Sequence, residues 1–351
     1  MRIALLTLDF FPTPGGGQQY LSQVARRLAE DHQVVVITPV ASAREQEPWR
    51  RWVVPPTVVA FIRALSAARP DHVLVGHAHP RLLIPAALAT WGRYTTITYG
   101  SDYLAAQRCW HRSLFNWLLA HSCPLITITW ANAERLQALG LPAPVVIYPG
   151  TDPNRFAPPP QPPPSPPTLL TVGRLVPRKG IDTVLQALPV LLAEFPGLRY
   201  WVVGDGSDRA RLEQIAHNLG VTQAVEFVGQ VSDQILPEVY RMAHIFVMPV
   251  REEQETASIE GFGIVYLEAA ASGLPVVAGR SGGAVEAVQE GKTGFLVPPN
   301  DPEALIQALR KLLTDPALRR RMGQTGRRWV EEEMNWDRAA REMLKALETH
   351  R

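Results

Sequence analysis

Short apolar runs alternate with longer amphipathic stretches along the whole chain. In the first half Ile3–Thr7, Val34–Ile37, Val73–Val75, Thr95–Thr98, Leu125–Ile128 and Val145–Ile147 read as strands. Between them apolar residues recur at helical spacing, as at Leu21, Val24, Ala25 and Leu28, and again at Phe61, Ala64, Leu65 and Ala68. The second half repeats the pattern, with strands at Leu169–Val172, Tyr200–Val203, Val225–Val228, Ile245–Met248 and Pro275–Ala278, and a helix face at Ile181, Val184, Leu185 and Leu188. Trp336–Thr349 reads as a last helix. This alternation predicts an α/β protein with open parallel sheets and helices on both faces of each.

The pattern breaks at PPPQPPPSPP, residues 158–167. Such a run enters neither helix nor sheet and prefers polyproline II, at ~3.1 Å per residue a spacer of roughly 30 Å. The expected organisation is a domain over 1–150, a Pro-rich linker over 151–167, a second domain over 168–335 and a final helix over 336–351. A chain of 351 residues suits two such domains. Ligands bind beyond the carboxyl ends of strands in doubly wound sheets, so two Rossmann-like domains facing a central cleft are expected.

Composition narrows the class. A hydrophobic content of 46% is that of an ordinary globular protein, and no run nears the length that crosses a bilayer. MRIALLTLDF is too short an apolar run for a signal peptide and reads as a first strand. Cys109 and Cys123 are too few for a metal cluster and read as small core residues of a reduced, cytoplasmic chain. Residues 1–150 hold 13 arginines, no lysine and 8 acidic residues, a balance of +5 that leaves −3 for the remainder. A basic first half fits an anionic phospholipid surface, or simple drift in surface charge; without a dense basic block, nucleic acid is not expected. Two readings stand for the segment Leu104–His121, which has Trp110, Leu114 and Trp117 near one face and Arg108 and Arg112 elsewhere. It packs into the core, or it rests on a membrane.

The chemistry concentrates in EGFGIVYLEAAASGLPVVAGRSGG, residues 260–283. Glu260 sits in a loop with Gly261 and Gly263, and Glu268 in a helix over Ile264–Ser272 that stops at Gly273. A second glycine turn, Ser281-Gly282-Gly283, precedes another expected helix start. Helix N-termini after glycine turns present unpaired N–H groups that suit phosphate, and the carboxylates suit sugar hydroxyls. In GRLVPRKG, Arg174 and Lys179 stand at the end of a strand and could clamp a diphosphate. FFPTPGGGQQY opens a helix after the first strand, and Gly204-Asp205-Gly206 follows another strand as a loop able to approach a base or ribose.

Three rival motifs fail. The dinucleotide pattern begun by Gly204 and Gly206 has Arg209 at its third glycine, and the P-loop-like Gly291-Lys292-Thr293 has Glu286 where glycine is required. Gly279-Arg280-Ser281-Gly282-Gly283 matches a nucleophile elbow, but the one histidine after it is His350, at the chain's end. No D-x-D occurs, against metal-dependent sugar transfer by a single-domain enzyme.

In order and spacing, GGGQQYL, GRLVPRKG, VVGDG, EGFGIVYLE, SGLPVVAG with SGG, and GKTGFLVPP together resemble the retaining glycosyltransferases of family 4, which have the two-domain GT-B fold. REEQ…EGFGIVYLEA with GRLVPRKG is most similar to the GDP-mannose-dependent phosphatidylinositol mannosyltransferases and their relatives. The resemblance implies a nucleotide-sugar donor, GDP-mannose first and UDP-glucose as the alternative, a hydroxyl acceptor of lipid-linked kind, and no metal or other cofactor. It implies that Arg174 and Lys179 bind the donor diphosphate and that Gly16 approaches it. Glu260 would hold sugar hydroxyls above the backbone of Phe262, Gly263, Ile264 and Val265. Glu268 would hold the ribose, with Gly204 and Gly206 near the base. The last helix would cross back to the first domain, and the protein would be cytoplasmic and peripheral at the inner face of the cell membrane. One departure stands out: the family histidine is replaced by Tyr99 in ITYGSDY, a poorer proton relay at a pKa near ~10. His77 and His79 are the residues that could offset it; the other implication is a nucleotide-sugar-binding protein with weakened catalysis.

Overall fold

The structure, a computed structural model, describes every residue except 12, 14, 42–46, 108–110, 162–165, 254–258 and 350–351. The chain divides into two compact units, Met1–Gly150 with Trp336–Arg351, and Thr151–Asn335.

Unit 1 holds seven parallel strands, β1 (Arg2–Leu6), β2 (Gln33–Thr38), β3 (Arg50–Val53), β4 (His72–Val75), β5 (Tyr94–Thr98), β6 (Ser122–Thr127) and β7 (Val145–Val146), in the order β3-β2-β1-β4-β5-β6-β7. Helices α1 (Gly16–Asp31), α2 (Val58–Ala68), α3 (Pro80–Thr90), α4 (Ser101–Gln107), α5 (Arg112–Ala120) and α6 (Trp130–Ala138) connect them. The expected apolar faces are the buried ones: Leu21, Val24, Ala25 and Leu28 in α1, and Phe61, Ala64, Leu65 and Ala68 in α2. Edge strand β3, with Arg50 and Arg51 partly outside, carries no apolar run and escapes sequence reading. The C-terminal helix Trp336–Thr349 belongs to this unit and packs on α1. Trp336 is fully buried with its ring edge-on to Tyr20, centroids 6.0 Å apart, and Arg27 pairs with Asp337 at 2.5 Å.

Two expectations change here. Cys123 is exposed rather than a core residue, because it lies where the pairing of β6 with β5 is irregular, between the Ser122–Tyr94 and Leu125–Thr96 pairs; Cys109 lies outside the described residues. The segment Leu104–His121 is not one helix but the end of α4 and all of α5, with Trp110 and Arg108 outside the described residues. Phe115, Leu118 and Leu119 are the core face of α5, whereas Leu114 and Trp117 are more than half exposed, so these two do not pack into the core.

Unit 2 holds six parallel strands, β8 (Thr168–Val172), β9 (Arg199–Val203), β10 (Val225–Gly229), β11 (Ile245–Met248), β12 (Val276–Gly279) and β13 (Gly294–Val297), ordered β10-β9-β8-β11-β12-β13. The central strands are buried end to end, as expected where helices cover both faces. These helices are α7 (Ile181–Glu194), α8 (Arg209–Asn218), α9 (Leu236–Met242), α10 (Ile264–Ala271), α11 (Pro302–Thr314) and α12 (Pro316–Glu332). The last two start alike: Asp301 and Asp315 accept from Ala304 N–H at 2.9 Å and Leu318 N–H at 2.8 Å, each followed by proline at the first helical position. Pro158 rests on the Gly273 turn, so the described start of the proline run lies against this unit.

The packing of α12 yields a test. Alanine at a helix-interior glycine ordinarily stabilises by ~1 kcal/mol. At Gly323 an added Cβ would stand 1.9 Å from the Gly273 carbonyl oxygen, which α12 must approach this closely to pack. Gly323→Ala is therefore expected to destabilise by on the order of 2 kcal/mol in urea unfolding, and a stabilised variant would contradict the packing.

Candidate active site

In unit 2 the chain runs from β8 outward to β9 and β10, then returns to β11 on the other side of β8. The loops leaving β8 and β11 therefore diverge at the topological switch point, where doubly wound sheets bind ligands. The first loop, residues 173–180, carries Arg174, Arg178 and Lys179, and the segment between β11 and α10 carries Glu260.

Arg178, Lys179 and Glu260 meet. Lys179 Nζ donates to Glu260 Oε2 at 2.7 Å, and Arg178 Nη1 donates to the same oxygen. Lys179 and Glu260 are only 7% and 8% exposed, so the charges interact with little solvent between them. Burial pushes the Glu260 carboxyl up, but Lys179 and Arg178 together outweigh it and hold it down at about 2. Burial draws the Lys179 ammonium below its usual range against the pull of Glu260, and the neighbouring Arg178 and Arg174 add to that. Arg174 itself is exposed on the same loop.

The backbone around this cluster is held from several sides. The 3₁₀ turn Pro177–Lys179 places Arg178 and Lys179 so that both reach Glu260. Arg251 N–H donates to the Arg178 carbonyl at 2.9 Å, while its guanidinium donates to both oxygens of Asp182, at 2.8 Å each. Arg211 also donates to Asp182, at 3.0 Å. On the other side Gly283 N–H donates to the Glu260 carbonyl at 2.9 Å. A Cβ at Gly283 would stand 2.1 Å from the Gly261 carbonyl oxygen, so the two glycine turns of the motif lie directly on one another. The second turn is followed by a four-residue 3₁₀ turn, Gly282–Val285, not by the expected helix: Gly283 is spent on seating Glu260.

Phe262, Gly263, Ile264 and Val265 form the N-terminal end of α10, with Gly263 in the left-handed region at φ 88°. Tyr266 lies so close that a Cβ at Gly263 would meet its ring at 2.5 Å, and its hydroxyl donates to the Met248 carbonyl at 2.8 Å. Glu268 is buried in α10, its Oε2 accepting from Tyr240 at 2.9 Å. Gly204 and Gly206 sit on the Arg174 loop: Cβ atoms there would stand 2.0 Å from the Gly173 oxygen and 2.2 Å from the Leu175 oxygen. Both glycines thus satisfy a packing demand irrespective of any ligand.

Gly16 and Tyr99 lie in unit 1. Gly16 is the first residue of α1, and the next residue, Gly17, faces the Tyr99 ring, with 3.5 Å between an added Cβ and that ring. The Tyr99 hydroxyl is buried with no hydrogen-bond partner among the described residues. Burial, with Tyr20 and Asp102 adding to it, pushes this phenol well above its usual range, so it remains neutral. Asp102 accepts from the N–H groups of Ala78, Tyr99, Gly100 and Tyr103 at 3.0–3.1 Å, tying the loops after β4 and β5 together. His77 is pushed down to about 4 by burial and by His79 against the pull of Asp9, so it is neutral at physiological pH. His79 Nδ1 accepts from Arg81 N–H at 3.1 Å and caps α3. His350 lies outside the described residues.

Sequence reading missed Arg178, Arg251 and Asp182. Arg178 stood inside a motif already noted, but nothing in the sequence separates a cation turned inward from a solvated one. Arg251 stood inside REEQ without a role of its own, and its partner Asp182, 69 positions away, lies in no motif. The depressed Glu260 carboxyl makes stability depend on acid. The pairing stabilises fully above the ordinary glutamate value of 4.5 and is lost as pH falls through the folded value of about 2. Acidification from pH 5 to pH 2 should therefore remove up to about 3 kcal/mol through this residue. Urea unfolding of wild type and Glu260→Gln at both pH values checks this, the variant losing less.

Comparison with known proteins matches these features. Residues 14–155 match the family described as Glycosyltransferase Family 4, and residues 154–329 that described as Glycosyl transferases group 1. A GDP-mannose-dependent alpha-(1-6)-phosphatidylinositol monomannoside mannosyltransferase of Mycobacterium tuberculosis is 33% identical, over 99% of this chain and 98% of its own. The protein of the same description in Mycolicibacterium smegmatis is 32% identical, over 95% and 94%. Among solved structures, sucrose-phosphate synthase from Thermosynechococcus elongatus superposes with a TM-score of 0.83 at 24% identity, over 99% and 98% of the two chains. A glycosyltransferase involved in lipopolysaccharide biosynthesis reaches 0.76 at 21%, over 99% of each. With its two parallel sheets, its charged switch point and full-length relatives of one kind, this chain belongs to the retaining glycosyltransferases of family 4 and has the GT-B fold.

Proposed function

We propose that this enzyme transfers mannose from GDP-mannose to a hydroxyl of a phosphatidylinositol-based glycolipid. The observation that carries the reading is the cluster of Arg178, Lys179 and Glu260 at the switch point of unit 2, with Arg174 on the same loop. GDP-mannose and phosphatidylinositol mannoside are taken from the names of the full-length relatives. Arg174 and Lys179 neutralise the donor diphosphate, and the N-terminal end of α10, Phe262 to Val265, adds N–H groups and partial positive charge. Gly16, at the start of α1, offers a second backbone approach to the phosphate. Glu260 takes the mannose hydroxyls, Glu268 the ribose, and the Gly204–Gly206 loop lies on the base side. The bond from the anomeric carbon to the diphosphate oxygen then breaks, the acceptor hydroxyl oxygen bonds that carbon on the face the nucleotide leaves, and its proton passes to the departing diphosphate, so the anomeric configuration is retained. Tyr99, neutral and with its hydroxyl unpartnered among the described residues, acts as a hydrogen-bonding group rather than a proton relay.

No helix among the described residues is long and apolar enough to cross a membrane. Exposed Leu114 and Trp117 on α5 support peripheral contact with a lipid surface, where a lipid acceptor resides, and the balance of +5 over residues 1–150 favours an anionic one.

A thermal-shift panel of GDP-, UDP- and ADP-sugars tests the donor: GDP-mannose should give the largest shift, and a larger one with UDP-glucose would reassign it. Transfer of labelled mannose to phosphatidylinositol mannoside tests the site, with Glu260→Ala and Lys179→Ala each lowering kcat/KM by about a hundredfold or more. Turnover unchanged in both would overturn the assignment. Tyr99→Phe should melt as the wild type does and turn over about tenfold more slowly. In co-sedimentation, vesicles containing phosphatidylinositol should retain the wild type and lose Leu114→Ser/Trp117→Ser; equal binding to neutral vesicles would remove the electrostatic part.

A further inference from the structure

Glu260 Oε2 receives two cations at once, Lys179 and Arg178. One of them is the residue that, in the reading above, also serves the donor diphosphate. A dianionic diphosphate arriving beside Lys179 competes with Glu260 for its ammonium. If Lys179 were the sole partner, its departure would leave a buried carboxylate without a counter-charge, which is among the costlier arrangements in a protein interior. Binding would then work against the ion pair already in place.

Arg178 removes that conflict. Its guanidinium already donates to the same carboxylate oxygen, with the planar fork of donors that suits a carboxylate better than the single ammonium of lysine. Its backbone is anchored independently of Glu260, through Arg251 N–H to the Arg178 carbonyl at 2.9 Å. Lys179 is the residue better suited to move, with a flexible four-carbon stem whose end lies beside Gly173, where an added Cβ would meet Cε at 3.5 Å. We propose that Arg178 is a positioning residue that holds Glu260 ionised and aimed while Lys179 is handed over to the donor diphosphate. This rests on the donor reading above. Arg178 acts through Glu260 and does not itself touch the donor.

The experiment is a double-mutant cycle read by calorimetric titration with GDP and with inorganic pyrophosphate, on wild type, Arg178→Gln, Glu260→Gln and the double variant. With Arg178 gone, Lys179 is retained by Glu260, so Arg178→Gln should weaken both probes about tenfold. Glu260→Gln frees Lys179 and should bind both at least as tightly as wild type. The double variant should then match Glu260→Gln within about twofold, because there is no carboxylate left for Arg178 to hold. Arg178→Lys, which keeps a cation at the position, should recover most of the loss, and melting curves of all variants establish that they fold. A tenfold loss that persists in the Glu260→Gln background would mean that Arg178 contacts the diphosphate directly, and would overturn the hand-over while leaving the donor site intact. Wild-type affinity in Arg178→Gln would overturn it as well. A wild type that binds neither GDP nor pyrophosphate would sink the donor reading itself, and the hand-over with it.

Discussion

The arrangement of unit 2 depends on one buried carboxylate shared between two cations. Glu260 and its partners come from loops that leave β8 and β11 in different directions, and their ion pair joins those loops across the switch point. Buried pairs of this kind contribute little net stability, because desolvation consumes much of the attraction, yet they are costly to break on one side. Such a pair fixes where the charges are before any ligand arrives. That is the preorganisation a transferase needs when most of its chemistry consists of stabilising a leaving anion.

Neighbouring contacts restrict the same few residues. Gly283 holds the backbone of Glu260, Arg251 holds that of Arg178, and Asp182 holds Arg251. The glycines of the loop after β9 let it lie against the Arg174 loop at a distance that no side chain permits. Glycine is thus used in this unit as much for contact between one backbone and another as for approach to a ligand.

Both sheets were legible in the sequence because central parallel strands are buried on two faces and read as uninterrupted apolar runs. Edge strands β3 and β13 were not: Arg50-Arg51 lacks that signature, and the short run Phe295–Val297 of β13, only half-buried at Phe295 and Leu296, stood inside GKTGFLVPP without being read as a strand. At the site, Glu260, Lys179 and Arg174 stood out because charged residues near glycine turns at strand ends are informative. The direction in which Arg178 turns is decided by tertiary contact, and so is the partner of Asp182. Cys123 misled for the complementary reason: the burial typical of its residue type is an average, and its place at an irregularity in the pairing of β6 with β5 overrides it.

The bond from Gly283 to the Glu260 carbonyl also makes the site observable when it is empty. This amide belongs to a short turn, where exchange with deuterium would ordinarily be fast, but its acceptor is the backbone of the residue at the centre of the charge cluster. Its proton can leave only when that segment lifts away, so the exchange rate of a single turn glycine counts the spontaneous openings of the cluster.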